Sequence, residues 1–456
     1  MTRSTMLLFW GLLVLTAGFL LALEGCGGSG GSSPLPSSGK IQHVVVIFQE
    51  NRTPDNLFHG LPNADIASSG LNSSGQTIPL APISLVTDYD LGHTHEAFVN
   101  MYDGGKMDGA DRVIVGCKPG ATNCPPPNPQ FAYVNPSEVA PYFQMAQQYT
   151  FADRMFQTNQ GPSFPAHQFI ISGTSAPTAT SNLFASENPL APGGNGTGGG
   201  TGCTAAPDQF VQLIDPSGNE SQTQYPCFEH PTLVDLLDAK KLTWRYYTPS
   251  PTSIWTGPNA IRHICVPDAT ATECTGPDWT NVILRQTQVL TDIANGSLAA
   301  VSWVIPTGKA SDHASGNDGS GPSWVASVVN AIGTSQYWSN TAIFITWDDW
   351  GGWYDHVAPT IINSYEYGFR VPLIVVSPYA KSGYVSHVTH DFGSILKFIE
   401  QNFGLPSLGY ADAPADNLSD CFDFSQTPLT FQTIPAALDA NFFLNDKRSP
   451  TDPDDD

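Results

Sequence analysis

Two pairs of oxygen-bearing residues stand just beyond short β-branched runs. Glu50 and Asn51 follow His43–Phe48 (HVVVIF) and Gln49, and Asp348 and Asp349 follow Thr341–Thr346 (TAIFIT) and Trp347. Adjacent oxygen donors at a strand end suit a hard divalent cation, and carboxylates from two strand ends can converge on one ion. One Asp pair alone reads more readily as a loop cap or turn; two pairs in the same setting tip the reading towards metal. Ser163 lies in Gly161-Pro162-Ser163-Phe164-Pro165. A rigid turn between two prolines would give the fixed, exposed hydroxyl that a nucleophile needs, although an ordinary turn serine is the commoner occurrence. Among 11 histidines, His93 and His95 share one loop with Asp90, His313 follows Asp312, and His356 follows Asp355 in Gly351-Gly352-Trp353-Tyr354-Asp355-His356. Each suits clamping phosphate or passing a proton near neutral pH; a lone histidine more often has a satisfied structural role.

These residues need a scaffold that brings strand ends together. His43–Phe48, Ala299–Ile305, Thr341–Thr346 and Val371–Val376 have the composition of buried parallel strands. Helical spacing of apolar residues appears at Thr232–Ala239, Ser323–Ile332 and Phe392–Phe403. The alternation predicts an α/β fold with a mostly parallel central sheet flanked by helices, in which ligands bind at the carboxyl ends of strands. Residues 40–445 are expected to form a single domain. Within it, residues 186–226, rich in Gly, Asn, Thr and Pro, read as a loop insertion rather than a second core. Residues 446–456 read as an acidic, disordered tail.

Lys and Arg total 18 against 41 Asp and Glu, a formal charge of −23, and no basic run occurs. That balance excludes nucleic acid as a partner, since binding it rests on neutralising phosphates. It also repels anionic substrates, so an anion site needs local positive charge, which a metal ion supplies. The N-terminus carries Arg3, an uncharged run Met6–Leu23 and then Glu24-Gly25-Cys26. This reads as an export signal over residues 1–26, with Cys26 placed like the lipidated cysteine of a bacterial lipoprotein; Glu24 departs from that pattern. An uncleaved anchor is the alternative. Either way the body is exported, to the cell envelope, the periplasm or the medium, and touches membrane only through that lipid or anchor. Residues 27–39 read as a Gly/Ser/Pro tether. Among the remaining cysteines the neighbouring pairs Cys117–Cys124, Cys203–Cys227 and Cys265–Cys274 suggest disulfides, leaving Cys421 buried and free. No CxxC pair occurs, which argues against a zinc-cysteine site.

Several stretches resemble one family. HVVVIFQENRTPDNLFHG resembles the opening of the bacterial phosphoesterases that include phosphatidylcholine-type phospholipases C and a respiratory-burst-inhibiting acid phosphatase. Thr53 stands for that family's Ser and Pro54 for its aromatic residue. DYDLGHTHEAFVNMYDGGKMDGADR resembles its Asp…His block, and QGPSFPAHQFIISGTS its nucleophile block, with Ala166-His167 in place of Asn-Arg, a change that bears on substrate contacts. PTLVDLLDAKKLTWRYY, TAIFITWDDWGGWYDHV and the run FRVPLIVVSPYAKSGYVSHVTHDFGSILKFIEQNFGLP extend the match, which covers about residues 41–406 apart from 186–226.

The resemblance implies an alkaline-phosphatase-like core. By position, Glu50, Asn51, Asp348, Asp349 and Ser163 would hold a divalent metal ion, and Ser163 would be the nucleophile, passing through a phosphoserine. His93, His313 and His356 would hold phosphoryl oxygens or protonate the leaving group. Asn51 would also touch phosphate, with His95 the alternative to His93. Two imidazolium rings would favour a mildly acidic optimum. The implied substrate is a phosphate mono- or diester, including a phospholipid head group. Trp347, Trp350, Trp353 and Tyr354 could surround a quaternary ammonium group, though packing around the strand end is the favoured reading. A catalytically inert surface binding lipoprotein is the main alternative. A sulfatase-like hydrolase ranks lower, because the Ser163 context lacks the arginine such enzymes usually carry.

Overall fold

The computed structural model describes residues 39–191 and 200–449. The expected signal with Cys26, the tether up to residue 38, residues 192–199 of the insertion and residues 450–456 of the tail lie outside the described residues.

An eight-stranded sheet organises the chain. In chain order its strands are β1 (His43–Gln49), β2 (Thr150–Ala152), β3 (Trp244–Thr248), β4 (Val282–Leu284), β5 (Val301–Val304), β6 (Thr341–Trp347), β7 (Leu373–Val376) and β8 (Tyr384–Ser386). Their spatial order is β4-β3-β5-β1-β6-β7-β2-β8. All neighbours run parallel except at β7, which is antiparallel to both β6 and β2. The sheet is thus mostly parallel, as expected, but the run at 371–376 is the exception to its own expectation. A continuous apolar strand buried on both faces looks the same in either direction, so its hydrophobicity carries no sign of polarity.

β1 and β6 lie at the centre and are buried on both faces. Phe48 and Phe344 pack against Phe392 and Phe398 of a helix at Phe392–Phe403, while Trp347, one residue out of phase, meets Tyr142 on the other side. The side-chain period of two therefore serves two helical layers. In chain order the α-helices are α1 (Pro54–Leu57), α2 (His95–Tyr102), α3 (Ala140–Gln148), α4 (Ser163–Ser172), α5 (Leu233–Ala239), α6 (Gln288–Ala294), α7 (Gly321–Gly333), α8 (Phe392–Phe403) and α9 (Ala440–Leu444). α3 and α6 pack on α7, and α5 and α8 pack on α4. Thr232 caps α5 through a capping box with Asp235, and Asp391 caps α8 through one with Ser394. Among the described residues no helix is long and apolar enough to cross a membrane.

The stretch 186–226 is more than a loop. Phe184–Ala185, Val211–Ile214 and Gln222–Gln224 form a small antiparallel sheet, and Val211, Leu213 and Ile214 are buried in the main core. Alternation along a four-residue strand is too brief to stand out from its Gly-rich surroundings. The three expected disulfides, Cys117–Cys124, Cys203–Cys227 and Cys265–Cys274, are all formed, and Cys421 is free and buried. The expected tail is held at its start: Arg448 pairs with Asp446 and Asp318 and lies over the Phe442 ring.

The register places the site. Gln49 of β1 pairs with Trp347 of β6 in a parallel ladder, so Glu50-Asn51 and Asp348-Asp349 leave the sheet side by side. Asn51 then turns with φ +63°, and the chain after β6 turns at Gly351 (φ +62°) and Gly352 (φ +71°). A Cβ on Gly351 would sit 2.5 Å from the Asn51 carbonyl oxygen, and one on Gly352 2.5 Å from Leu91 Cβ. The two glycines let this loop press against both the β1 end and the His93 loop. Gly351→Ala is therefore expected to lower the unfolding free energy by about 1–3 kcal/mol, measured by urea denaturation.

Candidate active site

Glu50, Asn51, Asp348 and Asp349 are all fully buried. The Asn51 backbone N–H donates to Asp348 Oδ1 at 3.1 Å, and the Gly351 N–H donates to Asp349 Oδ1 at 2.7 Å. Asn51 Oδ1 and Asp348 Oδ2 accept no hydrogen bond. The nearby Arg52 does not neutralise the group. Its guanidinium donates to the Asp312 carbonyl, Asn56 Oδ1 and the Leu85 carbonyl and lies over Trp353. Buried carboxylates are tolerated only when paired or bound to a cation. A buried donor set of carboxylate and amide oxygens fits a divalent metal ion.

Ser163 departs from its expected setting in two ways. It is the first residue of α4, not a turn residue, and it is fully buried. Pro165 stands in the first turn of the helix, where its missing N–H costs nothing. Ser163 Oγ donates to Asp349 Oδ2 at 3.2 Å. The helix N-terminus adds a partial positive charge at the same point. One turn further on, His167 faces the same centre: Nε2 lies 3.6 Å from Glu50 Oε1 and 3.9 Å from Asp348 Oδ2. Glu50, His167 and Asp348 form a fully buried group able to hold a metal ion. Sequence reasoning placed His167 only in a substituted motif. Its i,i+4 relation to Ser163 was the available signal, hidden by reading the two prolines as a turn.

His93 and His313 come together on the other side of Asn51. Their rings are 5.8 Å apart. His93 Nδ1 donates to the Leu91 carbonyl at 2.9 Å and His313 Nδ1 to the Ala314 carbonyl at 2.7 Å. These bonds set each ring so that Nε2 is the working nitrogen. Asn51 Nδ2 lies 3.1 Å from His93 Nε2. A pocket of about 400 Å³ opens beside His93 and Pro162 and is lined by Glu96, Glu187 and Glu220. Burial, reinforced by the charge of Glu220, pushes Glu187 up to about 8.

The other expected site residues lie elsewhere. His95 begins α2, its Nδ1 contacts Glu220 and its backbone N–H donates to Glu187 Oε1, so it borders the pocket rather than replacing His93. His356 is not brought to Ser163. Nδ1 lies 2.8 Å from Asp55 Oδ2 and Nε2 3.0 Å from Asp65 Oδ1, in a cluster where buried Arg370 also binds Asp55 and Asp355. Both ring nitrogens are thus committed to carboxylates close in space but some 300 positions away in the chain. Trp347, Trp350 and Trp353 are fully buried and Tyr354 nearly so, as packing requires and an open ammonium cage does not.

Burial opposes a charge on His356, but hydrogen bonding to Asp55 and the Asp55 and Asp355 charges outweigh it and raise its pKa to about 9. A folded pKa above the unfolded value of 6.5 adds stability below pH 6.5 that is lost as pH rises through 9. With its partial exposure discounted, His356→Asn should cost about 1–2 kcal/mol at pH 6 and much less at pH 9.5, read from urea melts at both values.

A model of the Phosphoesterase family matches residues 41–406. A Pseudomonas aeruginosa protein named non-hemolytic phospholipase C is 24% identical over 451 residues, covering 84% of this chain and 57% of that one. Phospholipase C B of Mycobacterium tuberculosis is 22% identical over 471 residues, covering 91% and 84%. Non-specific phospholipase C6 of Arabidopsis thaliana is 24% identical over 436 residues, covering 86% and 74%. The chain spans only 57% and 61% of the lengths of two non-hemolytic phospholipases C that it matches. A solved Vibrio parahaemolyticus protein of the alkaline phosphatase superfamily aligns over 85% of this chain and 72% of its own, with a TM-score of 0.38 at 10% identity, a likeness too low to argue from. With residues 41–406 matched, the chain belongs to the Phosphoesterase family.

Proposed function

We propose that this chain is an exported, metal-dependent phosphoric ester hydrolase with Ser163 as its nucleophile. The carrying observation is the Ser163 hydroxyl, which donates to Asp349 at 3.2 Å beside the buried Glu50, His167 and Asp348 group. Glu50, Asn51, Asp348 and Asp349 would hold the metal, with His167 added to that set and Ser163 at its edge. The bound ion supplies positive charge for the phosphoryl oxygens and lowers the serine pKa. Family membership and the phospholipase C relatives support the reaction class. Three disulfides support an oxidising compartment.

The chain's own residues have distinct tasks. Asp349 accepts the Ser163 proton as Oγ attacks phosphorus, giving a phosphoserine. The N-terminus of α4 directs partial positive charge at the incoming phosphoryl group. Asn51 Nδ2 and the Nε2 atoms of His93 and His313 stand where they can hold its oxygens. A protonated His313 can pass a proton to the leaving alcohol. Water then cleaves the phosphoserine. An inert binding protein has no use for a hydroxyl so placed against a buried carboxylate.

The pocket beside His93 favours a diester. Glu96 and Glu220 repel a second phosphate dianion but tolerate an alcohol, and best a cationic one, while Glu187 is neutral below about pH 8. The buried tryptophans play no part in that recognition.

The test uses the chain from residue 27 onwards, made in an oxidising compartment and assayed on p-nitrophenyl phosphate and p-nitrophenyl phosphorylcholine. Turnover is expected to favour the phosphorylcholine ester, to stop on chelation and return with divalent metal. Ser163→Ala should lose at least ~10³-fold in kcat while remaining folded by circular dichroism. Turnover that survives the substitution would overturn the serine mechanism.

A further inference from the structure

We propose that His390, Asp420 and Cys421 form a second metal site, sharing no residue with the Ser163 group, that takes a borderline-soft divalent cation of the zinc type. The three donors come from two segments. His390 lies between β8 and α8, and Asp420 and Cys421 end the short turn Ser419–Cys421. Their ligand atoms all lie within 4.8 Å of one another.

The spacing matches a tetrahedral ion. Zinc bonds of about 2.0–2.3 Å put neighbouring ligand atoms roughly 3.3–3.8 Å apart. His390 Nε2 is 3.4 Å from Asp420 Oδ1, and Cys421 Sγ is 3.7 Å from the same oxygen. Ser386 Oγ, 3.2 Å from Nε2, borders the fourth direction. Behind the ring, Asp416 Oδ1 stands 3.0 Å from Nδ1. A carboxylate on the far nitrogen is the usual support of a metal-bound histidine.

Donor chemistry and burial agree. A nitrogen, a sulfur and an oxygen donor select zinc over magnesium or calcium. His390 and Cys421 are fully buried, while the Asp420 side chain keeps 22% of its exposure and offers an entry path. Asp416 and Asp420 form ion pairs with His390 and with no Lys or Arg among the described residues. An imidazolium held between two aspartates would account for His390 and both acids. It would leave the one cysteine outside the three disulfides among the described residues unexplained at their side. The absence of CxxC spacing argued against such a site, but folding brings one cysteine to a histidine 31 positions earlier.

An ion here would staple the 416–421 segment to the sheet edge. The Cys421 carbonyl already accepts from Thr150 Oγ1 and the Lys381 N–H, both at 3.0 Å. Next to His390, Asp391 caps α8 and accepts from Thr158 Oγ1 at 3.1 Å, five positions before Ser163. The site is structural, and its effect on the reaction is indirect.

Cobalt separates this site from the other, because the Ser163 group contains no sulfur. The full chain, stripped of metal and reloaded with Co²⁺, should show a thiolate-to-cobalt charge-transfer band in the near ultraviolet. The band should persist in Asp348→Asn and vanish in Cys421→Ser. Zinc should slow modification of the Cys421 thiol by at least roughly 10-fold in the wild-type chain, a readout that needs no variant. Cobalt-loaded wild type without the band, or a thiol equally reactive with and without zinc, would overturn the proposal and leave the cluster as a hydrogen-bonded ion triad.

Discussion

Three buried carboxylates at the end of a parallel sheet repel one another, and much of the site's construction answers that repulsion. Glu50, Asp348 and Asp349 are fully buried, and the one nearby guanidinium, Arg52, is occupied with carbonyls. Charges so placed are costly unless a cation joins them. The local arrangement supplies what neutral help it can: backbone N–H groups on Asp348 and Asp349, the Ser163 hydroxyl, and the positive end of α4. These contacts orient the acids without cancelling their charge, as a candidate metal site requires. The cost is borne by the core around it, above all β1 and β6, whose interiors are continuous apolar runs.

The sheet makes the convergence automatic. Parallel strands in register end together, so residues one and two beyond β1 lie beside those one and two beyond β6. Two glycines, at 351 and 352, then let the following loop fold back over Asn51 and onto the His93 loop. One tight turn thereby links the acidic half of the site to its histidine half. Asn51 is the bridge. Its backbone donates to Asp348 and its amide to His93, at a positive φ that few non-glycine residues adopt.

What could be read from the chain follows from this geometry. β1 and β6 were legible because uninterrupted β-branched runs mark strands buried on both faces, and the acids stood immediately after them. The helices at 233–239, 321–333 and 392–403 were legible to within one or two residues from apolar spacing. The direction of β7 was not, since strand polarity depends on partners. His356 illustrates the same limit: its partners Asp55 and Asp65 lie about 300 positions away, and only folding shows that they occupy both ring nitrogens. His167 was hidden differently. Its helix begins at a serine flanked by prolines, a pattern that reads as a turn until the chain beyond Pro165 is seen to continue as α4.

The excess of negative charge on the chain bears on the reaction itself. With a formal −23, long-range attraction cannot gather an anionic substrate. Recognition must be short-range, and the groups suited to it are the N-terminus of α4, the Asn51 amide and the paired rings of His93 and His313. The acidic pocket next to it works in the opposite sense, repelling a second phosphate while admitting a neutral or cationic alcohol. Opposed potentials side by side favour a ligand that is anionic at one end and neutral or cationic at the other.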